Sequence, residues 1–242
     1  MSKLRTRIRD LGRAPVGFGF SAIMSARSTR HMLVIAEVED AAGANAAAEA
    51  GVDAIVMRGS PSALEGLALK NNVLTGIWLE DATGDEVAAA KAAGADFFLF
   101  DDGRAHASAL TPTDIGRILL LGPDQATERL RSVAVIELDA VVVTGEVGAT
   151  TVRDQLALRR VAAMTGAHLL VAANAVPDTA SLEAWRDAGA PAVLVSGSTA
   201  DLRATVLAAD AVPATKRRDE HSSPIIGAPR VASHDHDDED DD

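Results

Sequence analysis

Four charged residues carry most of the chemistry this sequence offers. Glu37, Arg58, Glu80 and Asp101 each stand at or just beyond the end of a short apolar run. Three carboxylates and a guanidinium placed where strands stop suit two kinds of work. Oxygen ligands from several strand ends can hold a hard divalent cation, Mg²⁺ or Mn²⁺, while an Arg clamps a carboxylate or phosphate. Glu37, Glu80 and Asp101 are then the candidate metal ligands and Arg58 the substrate clamp. Paired carboxylates can instead divide into acid and base where burial drives their pKa values apart. The plain structural alternative is an ion-pair ring in which Arg58 neutralises its neighbours. His106, in the loop Gly103-Arg104-Ala105-His106, adds a candidate general base near neutral pH, or a solvated loop histidine.

A second group lies near the end of the chain. Residues 190–207 read as an apolar run, then Gly197 between Ser196 and Ser198, then a helix. Ser198-Thr199-Ala200-Asp201 has the form of a capping box with Asp in place of Glu. The free N–H groups and dipole of such a helix start attract an anion. Gly197, Ser198 and Thr199, with Asn174 and Ala175 of the preceding unit, are therefore candidate substrate-binding residues for a phosphate. The alternative is a cap that only prevents fraying.

Several chemistries are excluded. The chain has no Cys, so disulfides, thiol nucleophiles, iron–sulfur clusters and Cys-ligated zinc are absent. Lys70 and Lys91 lie in or at the end of expected helices, which removes a strand-end Schiff-base lysine. Gly-x-Ser-x-Gly does not occur. Gly17-Phe18-Gly19 has neither a third Gly nor a following helix, so it is no dinucleotide fingerprint.

The elements that must position these residues form a regular series. Apolar strands are expected at 32–38, 53–58, 73–80, 96–101, 118–122, 139–144, 168–174 and 192–196. Helices are expected at 41–50, 61–70, 85–93, within 106–116, and at 125–138, 151–165, 179–188 and 199–209. Three helices end in a similar phrase, Ala-Gly-Val-Asp at 50–53, Ala-Gly-Ala-Asp at 93–96 and Ala-Gly-Ala-Pro at 188–191. Glycine there caps the helix in left-handed geometry and turns the chain into the next strand. Eight strand–helix units require a parallel sheet covered by helices. Eight favours closure into a (β/α)8 TIM barrel, with an open doubly wound sheet as the rival. The strand ends then offer the mouth Glu37, Arg58, Trp78 and Glu80, Asp101 and Asp102, Thr144 and Glu146, Asn174, and Ser196 and Ser198, with alternation deciding which look inward.

We divide the chain into residues 1–31, an N-terminal helix and loop extension, 32–213, the barrel, and 214–242, a disordered acidic tail. The first helix carries Leu4, Ile8 and Leu11 on one face with Lys3, Arg5, Arg7 and Arg9 around it. It is a basic arm for an acidic partner or a plug for the barrel bottom. Residues 15–22 are a weak strand candidate. In the tail, His234 and His236 among acids admit metal scavenging or docking, against a solubilising end.

Hydrophobic residues make up 48% of the 242, with 3% aromatic and no Tyr, so the core must be aliphatic. The net charge of −12 is concentrated, because seven acids fall in residues 235–242 and leave −5 elsewhere. That argues against a nucleic-acid surface. No apolar run approaches the roughly 20 residues of a membrane span, and the N-terminus lacks a signal-peptide core. The expectation is a cytoplasmic protein taking a small anionic ligand, with a homo-oligomer admitted.

Residues 189–198, with Val171-Ala172-Ala173-Asn174-Ala175 before them, resemble the last two units of the ribulose-phosphate-binding barrel superfamily. That group includes barrels of tryptophan, histidine and thiamine biosynthesis. The resemblance implies a phosphate at Gly197 and Ser198, extending to Asn174 and Ala175. It covers under a third of the chain, and the motif is shared with flavin-binding barrels such as nitronate monooxygenases, which implies FMN as the alternative cofactor. The strand-seven loop departs from the family's Gly-Gly, and the strand-end Lys of the indole-glycerol-phosphate branch is missing. The expected activity is a lyase or isomerase acting on a small phosphorylated or carboxylated metabolite. An FMN oxidoreductase and a non-catalytic scaffold or sensor are the alternatives.

Overall fold

A computed structural model describes residues 2–11, 30–69, 72–122, 125–146 and 151–214. Eight parallel strands close into a barrel in sequence order: β1 (Leu33–Val38), β2 (Ala54–Arg58), β3 (Leu74–Trp78), β4 (Phe97–Asp101), β5 (Gly116–Leu120), β6 (Ala140–Gly145), β7 (His168–Ala173) and β8 (Ala192–Ser196). β8 pairs back onto β1, with Glu37 beside Ser196. Before them comes α1 (Lys3–Arg9); between and after them come α2 (Ala41–Ala50), α3 (Gly84–Ala92), α4 (Thr127–Val133), α5 (Val152–Thr165), α6 (Thr179–Asp187) and α7 (Thr199–Asp210). The chain is thus a (β/α)8 TIM barrel. Residues 15–22 and the tail lie outside the described residues.

Two of the eight connections differ from the expected helices. After β2 the described residues form only a 3₁₀ turn, at Pro61–Leu64. Ser60 makes no capping bond there, and Gly66 takes φ +74°, which turns the chain out of helical geometry. After β4 the helix expected within 106–116 is a 3₁₀ turn, Ala107–Leu110. Pro112 has no N–H to extend it, and Asp114 adopts a left-handed φ of +63°.

The strands are buried on both faces, and alternation sorts their side chains into two cores. One face, including Val34, Ile55, Ile77, Phe98, Leu119, Val141, Val171 and Val193, packs against the helices. The other, including Ile35, Val56, Phe97, Leu99, Ile118, Val142, Leu170 and Leu194, fills the barrel. Phe97 is the largest fully buried side chain of this inner cluster. It is flanked in register by Gly76 on β3 and Gly116 on β5. A Cβ on Gly76 would lie 2.2 Å from the Phe97 ring, so glycine is the residue that admits it. At the bottom, Leu4 and Ile8 of α1 join this inner cluster, so the helix plugs the barrel as one of the two expectations had it.

Candidate functional site

Alternation carried to the upper end of each strand defines the rim. Strands β1 to β4 present Glu37, Arg58, Trp78 and Asp101; strands β5 to β8 present Leu120, Thr144, Ala172 and Ser196. This inward layer therefore carries three charged groups on one half and only neutral side chains on the other. This asymmetry gathers the charged groups on one side instead of ringing the mouth with them.

Arg58 organises the charged half. It pairs in register with Trp78 across β2 and β3, and its guanidinium carbon lies 3.6 Å from the Trp78 ring centroid. The ring holds the cation by its negative π face. Nε of Arg58 donates to Oε1 of Glu37, and one terminal nitrogen lies 4.0 Å from Glu80. The Arg58 side chain is 45% exposed and that of Glu37 20%, so the pair is reached from the mouth with the carboxylate beneath.

A second arginine completes the ring. Arg104 donates to both oxygens of Asp81 at 3.0 Å and to Glu80 at 2.9 Å. Sequence reasoning had Arg104 only as a neighbour of His106. The signal was present in the Glu80-Asp81 doublet, which ends one strand unit while Arg104 begins the loop of the next. Asp102 binds Arg129 of α4 at 2.7 Å, tying the β4 loop to the outer layer.

The structure does not gather Glu37, Glu80 and Asp101 as a metal cage. Arg58 engages the first two, and Asp101 turns its carboxylate onto the Gly103 N–H at 2.7 Å. Among the described residues no three His, Asp or Glu side chains are arranged to hold a metal ion. A guanidinium already supplies the positive charge that Mg²⁺ or Mn²⁺ would bring, so the donor set does not fit such an ion. His106 is exposed at the start of the 3₁₀ turn, where its N–H donates to the Ala82 carbonyl at 2.8 Å.

The eighth unit has the capping box expected of it. Ser198 donates from its N–H (2.9 Å) and Oγ (2.7 Å) to Oδ2 of Asp201, and its Oγ accepts from the Asp201 N–H at 3.3 Å. These bonds hold the Asp201 carboxyl below the usual carboxylate range. Gly197 takes φ +151°, and a Cβ there would meet Asp201 at 3.0 Å. A carboxylate of the chain itself thus occupies part of the place a phosphate would take. Asn174 is exposed beyond β7, with its N–H on the Gly145 carbonyl at 3.4 Å. Four of the other five α-helix starts at this end are also acid-capped, by Asp40, Glu86, Asp154 and Asp178, whereas α4 begins at Ala126, which has no capping side chain.

No sequence-family model and no curated protein matches the chain. Solved structures do. Phosphoribosyl anthranilate isomerase from Thermus thermophilus is similar at 17% identity and TM-score 0.53, over 73% of this chain and 98% of that one. A thiamine phosphate pyrophosphorylase from Pyrococcus furiosus is similar at 12% identity and TM-score 0.56, over 76% and 98%. A HpcH/HpaI aldolase/citrate lyase family protein from Burkholderia cenocepacia is similar at 16% identity and TM-score 0.56, over 86% and 98%. At such identities the likeness establishes the TIM-barrel fold.

Proposed function

We propose that the chain is a TIM-barrel enzyme of lyase or isomerase type whose mouth takes a small carboxylated metabolite. The observation that carries this reading is Arg58, stacked on Trp78 and steered by Glu37 on the inward-facing top layer of the barrel. An Arg so held is pre-organised to meet a carboxylate, and little of its freedom remains to be lost on binding. Glu37, Glu80 and Asp101 supply candidate acid and base groups around it. The lyase-family and isomerase neighbours support this class by fold analogy.

A phosphorylated substrate, gripped by Gly197, Ser198 and Thr199 with Asn174, is the weaker limb, because Asp201 already lies on that helix start. Resemblance to the ribulose-phosphate-binding superfamily supports it; the acid-capped rim opposes it.

Trp78 and Trp185 are the only tryptophans, and Trp185 of α6 is buried in the outer, helix-side cluster behind β6. A W185F variant therefore makes Trp78 the sole reporter. Titration with malonate, succinate or inorganic phosphate should give a saturable change in emission with the dicarboxylates. That response should vanish in Arg58→Met. No response to any of them, with the fold intact, would overturn the reading. The same ion-pair ring supports a second reading, a non-catalytic barrel, because Glu37 and Glu80 are engaged by Arg58 and Arg104.

A further inference from the structure

At the opposite end of the barrel one device is built three times. Asp53, Asp96 and Asp139 recur every 43 residues, each just before an even-numbered strand. Each carboxylate accepts a backbone N–H from the preceding strand region: Val34 at 2.9 Å, Thr75 at 3.0 Å and Arg117 at 3.1 Å. Each also faces a cation of α1: Arg7 at 3.7 Å, Lys3 at 2.6 Å and Arg5 at 3.3 Å, in the same order. The three carboxylates are only 12–13% exposed, whereas the cations range from 40% to 74%.

We infer that α1 is a detachable bolt on an acidic seat, releasing as a unit short of global unfolding, with ionic strength setting how often it opens. The seat survives without the bolt. Each carboxylate keeps its strand N–H, and Asp53 also keeps Arg30 at 2.7 Å, so release leaves no buried acid without a partner. The bolt has little stability of its own, for it spans seven residues, whereas isolated helices need roughly 12–15. Its hold besides the ion pairs is two buried side chains, Leu4 and Ile8, with Leu11 half-buried just beyond the helix and one bond from Arg5 to the Leu138 carbonyl at 3.0 Å. Eighteen residues of sequence separate Leu11 from Arg30, so α1 is covalently remote from the strand it helps to close. The cations lie on the water side of their pairs, where salt screens them.

Amide hydrogen exchange on the full chain tests this. The α1 amides, including Asp10, which donates to Thr6 at 3.1 Å, should exchange about tenfold faster in 0.5 M than in 0.05 M NaCl, by screening over the ~10 Å Debye scale. Amides of β1 to β8 should not change. Lys3→Gln alters a side chain that is 74% exposed and so leaves the barrel folded; it should accelerate α1 at low salt and blunt the salt response. Protection of α1 equal to that of the strands at both salt levels would overturn the inference, as would α1 and strands accelerating together.

Discussion

Replacing Glu37 by Gln and Arg58 by Met, singly and together, separates what the Arg58 cluster does for stability from what it does for a ligand. The bond from Arg58 Nε to Glu37 is charge-assisted, a kind worth about 1.5–3 kcal/mol when enclosed. Arg58 is 45% exposed, so solvent discounts the coupling to about 1 kcal/mol. The contact with Trp78 adds about 0.5–1 kcal/mol, part of which Met retains by laying its thioether on the ring. Arg58→Met should then cost about 1–2 kcal/mol, a fall in Tm of roughly 2–8 °C for a domain of this size. In urea-denaturation double-mutant cycles, Glu37 and Arg58 should couple by about 1 kcal/mol. Glu80 and Arg58, 4.0 Å apart with both side chains about half exposed, should couple by less than about 0.5 kcal/mol. A Glu80 coupling larger than that of Glu37, or Glu37 coupling below about 0.3 kcal/mol, would refute the geometry on which the clamp rests. Loss of the malonate-induced Trp78 response in Arg58→Met, with only this modest stability cost, assigns Arg58 to binding. A large stability loss in a chain that never responds to malonate assigns it to structure.

Gly76→Ala should lower stability by about 1–3 kcal/mol in calorimetry, because its Cβ would enter the ring of a fully buried Phe97; a variant as stable as the parent would show that the Phe97 layer yields. Burial first, and then the Arg5 charge, push the pKa of half-buried His168 down, while Asp139 opposes them. Below about pH 6.5 the unfolded chain therefore takes up a proton more readily than the folded one, so stability present above that pH is lost as pH falls toward the folded value. His168→Gln should remove this dependence, and an unchanged pH profile in urea melts would contradict it. Ser198→Ala removes the α7 cap and should cost about 0.5–2 kcal/mol, with helix α7 fraying first in hydrogen exchange. Asp201→Asn clears the carboxylate from the start of α7 and should tighten inorganic phosphate binding if that helix grips phosphate; calorimetry showing none in either form would remove the phosphorylated limb.

Eight units, their order and the faces of their strands were readable because alternation and the Ala-Gly phrases are local signals. Glu37, Arg58 and Asp101 point into the barrel as their spacing required. The two connections that became 3₁₀ turns were not readable from apolar content. A single backbone feature decided each, Gly66 in one and Pro112 with Asp114 in the other. The partners at the rim escaped for a different reason. An ion pair depends on loop paths, and Arg104 reaches Glu80 and Asp81 from across a strand boundary that no periodicity marks.

The charges of the two barrel ends are settled by the same economy of backbone groups. At the lower end each of three acids satisfies a strand N–H and so is fixed before any cation arrives; α1 then supplies the cations. At the upper end, five of the six α-helix starts are satisfied by acids of the chain itself, Asp40, Glu86, Asp154, Asp178 and Asp201. An incoming anion at the mouth therefore finds five of the six α-helix starts already answered, α4 with Ala126 at its start being the exception, and meets attraction chiefly at the arginines, of which Arg58 lies on the inward layer. On the reading proposed above, this arrangement favours a ligand small enough to reach Arg58 past Glu37 and Glu80. A compact carboxylate such as malonate meets that condition better than a bulky phosphate ester does, so the first ligand screens belong with carboxylates.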